Sequence, residues 1–217
     1  MFKQRVLLQI SVRGDIRFVS HHDLMKVLGR AARRAGLSVA RSEGFNPRQK
    51  ISLLLARGVG VASESEYAEI DLVDWVSVGE FARRLNEKLP EGLRVERAVL
   101  ANPHEHRQVV GIRYRVDSRG TVGVTNDAAQ KLLDASEVWV ERERKKKGSA
   151  ATVRRVDIRP FLRGIRVDEH SLEISLEVTP GGTTRPEEVW EALGLRPETL
   201  LAACTITRTG MELSPAI

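Results

Sequence analysis

The sequence predicts an α+β fold in which a split β-α-β order occurs twice along the chain. Three observations predict it. Apolar residues alternate near the start, a helical apolar stripe follows between capping and glycine signals, and the same order of elements recurs after a polar break.

In VLLQISV, Val6, Leu8, Ile10 and Val12 alternate with Leu7, Gln9 and Ser11, the period of a half-buried strand. Gly14 and Asp15 supply a turn. A helix is expected over 21–35, where Leu24, Leu28, Ala31 and Ala35 fall on one stripe and Gly36 stands at the C-cap position. Extended segments are expected at 51–56 and 67–73, joined by a Gly/Ser/Glu-rich turn region. A second helix over about 77–89 is stopped by Pro90 and Gly92, and a last strand follows over 93–100.

ANPHEHR, residues 101–107, is polar and without period, which places a domain boundary there. Beyond it the order returns: strand 109–116, helix 126–135, strand 137–142, strands within 154–178, helix 185–193 with Pro186 in its first turn, and strand 202–208. The economical architecture is two tandem ferredoxin-like (split β-α-β) domains, 1–101 and 107–217.

Lys3, Arg5 and Arg13 interrupt the apolar start, so it reads as a strand rather than a signal peptide, and no stretch is long enough to span a bilayer. A cytoplasmic protein without membrane contact is expected. The lone Cys204 cannot by itself supply a disulfide or a cluster of several thiolates.

Positive charge is concentrated in two places. Residues 17–50 carry a local +6 and residues 141–155 a local +5, so the rest of the chain sums to −5, and the pI is near 9.8. Such patches attract phosphate backbones or acidic protein surfaces. The 144–151 stretch RKKKGSAA reads as a mobile basic loop.

Ser20 and Asp23 have the spacing of a capping box, with Ser20 as N-cap and Asp23 reaching back to its backbone N–H. The same helix start presents free N–H groups to anions. Opposite the apolar stripe lie Lys26, Arg30 and Arg33, with Arg34 at the flank and only Asp23 nearby to pair. A face kept for solubility alone would mix signs, so this one favours an anionic partner.

His21 projects toward the apolar side and His22 toward the basic side, so the pair cannot share a metal on one helical face, and no metal site is expected. His21 is either a packed ring or a phosphate donor or general base; His22 is the second catalytic candidate. In SEGFNPRQK, residues 42–50, Gly44 permits a positive φ and Asn46-Pro47 starts a turn. Phe45 is expected to plug this loop onto the core. Asn46, Arg48 and Lys50 are expected beside the helix's basic back as a hydrogen-bonding side chain and two phosphate ligands, unless Glu43 pairs with Arg48. Arg13 and Arg17 extend the cationic set upstream, and Ser20 and His21 complete it at the helix start.

At these residues the chain resembles the radical-SAM-linked proteins, a bacterial family encoded beside, or fused to, a radical SAM protein. The similarity is carried by "VRGDIRFVSHHDLMKVLGRAARRAGLSVARSEGFNPRQKISL" and "GVGVASESEYAEIDL", and continues through "VDIRPFL", "TRPEEVWEALGL" and "ITRTGMEL". The S-H-x-D-L helix start with G-F-N-P is its specific part. His22 stands where an aliphatic residue is expected, and "NPRQKIS" replaces the usual "NPHPKIS", which removes a histidine.

The resemblance implies an accessory role: a partner radical SAM protein holds the iron-sulfur cluster and S-adenosylmethionine, and this chain, lacking the three-cysteine motif, holds no cofactor. The expected function is RNA binding, of tRNA or rRNA, for modification by that partner, without catalysis by this chain. Two alternatives stand beside it. One is a metal-independent endoribonuclease using His21 or His22 with Lys50 or Arg48, an architecture similar to the CRISPR RNA-processing endonucleases. The other is a protein adaptor without RNA affinity.

Overall fold

The structure, a computed structural model, describes residues 2–144, 152–196, 198, 200 and 203–215. It is a mixed α/β fold whose strands pair mostly antiparallel, with four helices among the described residues. The chain divides into two compact units, Met1–Val109 with Arg208–Ile217, and Val110–Thr207. The last ten residues therefore belong to the first unit, a departure from the contiguous 107–217 read from the sequence.

The first unit runs β1 (Gln4–Val12), α1 (His21–Arg34), β2 (Ile51–Leu53), β3 (Ala62–Leu72), α2 (Val78–Asn86) and β4 (Leu93–Ala101). β4, β1 and β3 are neighbours in that order, β2 pairs with β3 off that path, and each of these pairs is antiparallel. The alternation in β1 sends Val6, Leu8, Ile10 and Val12 to one face, where they are fully buried with Leu24, Leu28 and Ala31 of α1 and Phe81 and Leu85 of α2. Small alanines let α1 approach the sheet closely, and burial of each large apolar side chain contributes about 1.5–3 kcal/mol. Arg84 of α2 donates to the Ala35 and Gly36 carbonyls, closing the C-terminus of α1.

β3 starts at Ala62, five residues before the extended segment read from the sequence. Its first turn of sequence, ASESE, is polar and looks like a loop, but β1 pairs with it as far as Val12↔Ser63. Ser63, Ser65 and Glu66 are buried there because the fold supplies partners: Ser63 Oγ donates to the Arg208 carbonyl at 3.4 Å, Ser65 Oγ accepts from the Gln9 amide at 3.4 Å, and Glu66 meets Arg208, as described below.

Gly92 closes the turn between α2 and β4 at φ +80, and its carbonyl accepts from Arg13 N at 2.7 Å. A Cβ on Gly92 would overlap the Arg13 carbonyl oxygen, a backbone atom that cannot swing aside. Gly92→Ala is expected to destabilise the protein by at least about 1–2 kcal/mol. A urea midpoint equal to that of the wild type would show that this turn relaxes freely.

The second unit carries β5 (Gln108–Ser118), α3 (Asn126–Asp134), β6 (Trp139–Arg144), β7 (Thr152–Asp157), β8 (Leu162–Val167), β9 (Ser171–Glu177) and α4 (Pro186–Ala192). The final strand, β10 (Cys204–Ser214), begins in this unit and passes into the first at Arg208. β5, β9 and β8 are neighbours in that order, with Ile112, Tyr114 and Val116 opposite the buried Leu176, Ile174 and Leu172. β6 and β7 form a separate antiparallel ribbon. Among the described residues no helix is long and apolar enough to cross a membrane.

Candidate nucleic-acid interface

The start of α1 is capped as its spacing predicts, with one difference. Ser20 Oγ accepts from Asp23 N at 3.2 Å and donates to Asp23 Oδ2 at 2.7 Å. Asp23 thus takes the Ser20 hydroxyl, and on its other oxygen the Lys26 ammonium at 2.8 Å. Ser20 and Lys26, both expected to meet phosphate, are committed locally to this exposed carboxylate, whose pKa their hydrogen bonds lower, that of Lys26 first.

The two histidines separate as the helical period requires. His22 is exposed, while His21 Nδ1 is buried without a hydrogen-bond partner. The rings meet edge to face at 5.7 Å between centroids. Burial chiefly, then the His22 and Arg57 charges, lower the His21 pKa against the opposing pull of Glu66. A histidine held neutral in the folded state stabilises it above the ordinary imidazole value of 6.5, and that contribution fades as pH falls through the lowered folded value. Taking the pH from about 8 to about 5 is therefore expected to destabilise the wild type more than His21→Gln. Equal losses in urea melts would remove this assignment.

Arg30 and Arg33 are exposed, and neither side chain has an ion-pair or hydrogen-bond partner among the described residues. Arg34, at their flank, donates to the Lys88 carbonyl at 2.7 Å and so is tied to the α2–β4 turn. The loop after α1 reaches the same face through Gln49, whose amide donates to the Gly29 carbonyl and whose side chain covers Gly29 where any Cβ would intrude. Around the helix axis His22, Lys26 and Arg33 lie within about 60° of Gly29. They line the edge of α1 that faces the loop.

The loop itself is a closed turn. Ser42 N donates to the Arg48 carbonyl at 2.8 Å, Arg48 N donates to Ser42 Oγ at 3.0 Å, and Arg41 bridges Gln49 beneath them. The Asn46 and Arg48 side chains are exposed and unpaired among the described residues. Phe45 does not plug the core. It stands at 106% relative exposure at the tip, because Gly44 at φ +114 turns the chain outward there.

Lys50 lies elsewhere. Ile51 and its partner Ile70 belong to the helix-covered core, so the preceding side chain points to the other face of the sheet. There Lys50 Nζ sits 5.4 Å from the Phe2 ring centroid, near Arg5, whose guanidinium binds Asp71 at 2.6 Å and Glu69 at 3.4 Å. The sheet separates Lys50 from His21, and a ribonuclease pairing of those two side chains is not assembled. Arg13 also stands apart, lining a concavity with Glu91 and Glu96 at the α2–β4 turn. Arg17 stacks on Phe18 at 4.7 Å.

Sequence reasoning missed three functional or supporting groups. Arg41, exposed at the base of the loop, adds a further cation and was legible as the residue before SEGFNPR. Arg57, 8% exposed, donates to the carbonyls of Arg17, Gly58, Val61 and Val19, and so fixes the segment leading into α1. Glu66 and Arg208, each 1% exposed, form an ion pair at 3.0 Å, with Arg208 also donating to the Ala56 carbonyl at 3.0 Å. Nothing local in the sequence links residues so far apart.

In the second unit, the other basic segment forms the β6–β7 ribbon. Arg142 is bound by Glu188 at 2.7 and 2.8 Å, and Arg155 lies over the Trp139 ring at 5.2 Å. Of the predicted basic loop 144–151, residues 145–151 lie outside the described residues. Among the described residues no three His, Cys, Asp or Glu side chains converge to hold a metal ion.

These features define a mixed α/β protein that presents, beside an aromatic-tipped loop, a helix face on which Arg30 and Arg33 are unpaired among the described residues. Residues 5–186 match the family described as "Uncharacterized protein conserved in bacteria (DUF2344)", and the chain belongs to that family. No curated protein matches it. Among solved structures, a chain of the "Crystal Structure of a Cbf5-Nop10-Gar1 Complex" aligns over 95% of this chain at 9% identity and TM-score 0.42. The aligned region spans 48% of that chain, and a similarity at this level carries no argument about function.

Proposed function

We propose that this protein binds RNA through the exposed face of α1 and the 42–48 loop. In this reading it serves as a non-catalytic cytoplasmic accessory to a radical SAM protein that modifies tRNA or rRNA. The observation that carries it is the pair Arg30 and Arg33, solvent-exposed and unpaired, with Arg41 and Arg48 at the neighbouring loop. Unpaired arginines on one rigid helix are a phosphate-binding surface with little reorganisation to undergo. The link to a radical SAM partner, which would hold the iron-sulfur cluster and S-adenosylmethionine, rests on the S-H-x-D-L and G-F-N-P resemblance. The antiparallel pairing of β4 with β1, β1 with β3 and β3 with β2 supports reading the first unit as a ferredoxin-like domain.

The test is RNA crosslinked to the protein in cells, recovered with it and sequenced, for the wild type and for a variant with Arg30, Arg33 and Arg48 changed to glutamine. One enriched RNA class, lost in the variant, is the expected result. A complex with the radical SAM protein that survives nuclease, with no RNA recovered, would replace this reading with that of an adaptor.

A further inference from the structure

Phe45 is a phenyl ring held clear of the protein by a turn whose two ends are hydrogen-bonded to each other. Folding gains nothing from it there: a buried phenylalanine side chain contributes about 1.5–3 kcal/mol, and this one is left wholly in water. Its immediate neighbours are polar and ligand-ready. Asn46 offers an amide able to meet a base edge, and Arg48 offers a guanidinium for phosphate; Glu43 is the loop's one acidic residue. The rim of α1 beside Gly29 adds Arg33 and, one turn across, Arg30.

We infer that Phe45 is a stacking platform for an unpaired base, so that the ligand of this surface is a single-stranded or looped RNA segment rather than a duplex. The inference rests on the RNA-binding reading above and deepens it by naming the ligand's form. In a duplex the base faces are covered by their neighbours, and an A-form helix presents only phosphates, 2′-hydroxyls and base edges. An exposed ring flanked by an amide and a guanidinium has its complement in a splayed base, whose face stacks on the ring while its backbone follows the cations. Pro47 and the Ser42–Arg48 hydrogen bonds limit the loop's freedom, which lowers the ordering cost on binding.

The test compares fluorescently labelled single-stranded RNA oligomers with a blunt duplex of the same length by anisotropy, using the full chain. Phe45→Ala is expected to weaken single-strand binding by about 5-fold to about 100-fold and to leave duplex binding unchanged. Phe45→Trp is expected to retain affinity and to show quenching of the new indole when the single strand binds. Because residue 45 touches nothing in the fold, neither substitution is expected to alter the urea midpoint, and that measurement accompanies the binding data. Single-strand affinity unchanged in Phe45→Ala, or lost equally for the duplex, overturns the inference while leaving the RNA-binding reading intact. Loss of a radical SAM protein rather than of RNA from Phe45→Ala overturns it in favour of a protein contact. No RNA binding by the wild type overturns both.

Discussion

Replacing Glu66 with glutamine is expected to lower the unfolding free energy by about 3–5 kcal/mol. Both members of the Glu66–Arg208 pair are 1% exposed, so removing the carboxylate charge takes from a buried guanidinium the anion that it meets at 3.0 Å. Arg208 cannot escape by deprotonation, since a guanidinium keeps its proton in proteins. The hydrogen bond it keeps to the Ala56 carbonyl is to a neutral group and does not replace the lost charge. The effect is expected to spread beyond the pair, because Arg208 opens the C-terminal segment of the first unit. Replacing both residues with methionine is expected to recover much of the loss, since apolar pairs of similar volume often equal a buried ion pair in stability. Urea denaturation of the wild type, Glu66→Met, Arg208→Met and the double methionine variant completes a double-mutant cycle that measures the coupling directly. A Glu66→Gln cost below about 1 kcal/mol would mean that the pair adds nothing to stability.

The second large effect is on RNA affinity. Changing Arg30, Arg33 and Arg48 to glutamine removes three cations from one surface. Each phosphate contact with a single strand contributes about 0.7 to the slope of log affinity against log salt, so the slope is expected to fall by about 2. Near 0.1 M salt the affinity is expected to fall by on the order of 10- to 100-fold. Lys50→Gln is the internal control. Lys50 sits across the sheet against Phe2, so its neutralisation is expected to leave affinity and slope unchanged. A Lys50→Gln loss as large as that of the triple variant would move the binding surface to the other face of the sheet.

Much of the first unit was legible because its signals are local. The helix expected over 21–35 is α1, and Ser20 caps it; the strand expected over 93–100 is β4. The basic face was legible for the same reason: residues on one helix are arranged by a fixed rotation per residue, so Arg30 and Arg33 had to lie together. Where prediction departed from structure, a non-local partner decided. ASESE reads as a turn until β1 is seen to pair with it, and Lys50 reads as a neighbour of α1 until the pleat of β2 turns it to the far face. Apolar side chains generally seek the core, but Gly44 directs the loop tip outward and leaves Phe45 in water.

The sequence by itself determined the element order, the two basic segments, the amphipathic α1 and the separation of His21 from His22, since each depends only on periodicity, capping and charge spacing. The tertiary structure alone decided that Gln49 reaches α1 while Lys50 lies across the sheet from it, that Phe45 stands free, and that Arg208 returns to the first unit to meet Glu66. Those outcomes depend on which strands pair and on which side of a sheet a side chain emerges, and a chain's own periodicity does not encode the identity of its distant partner.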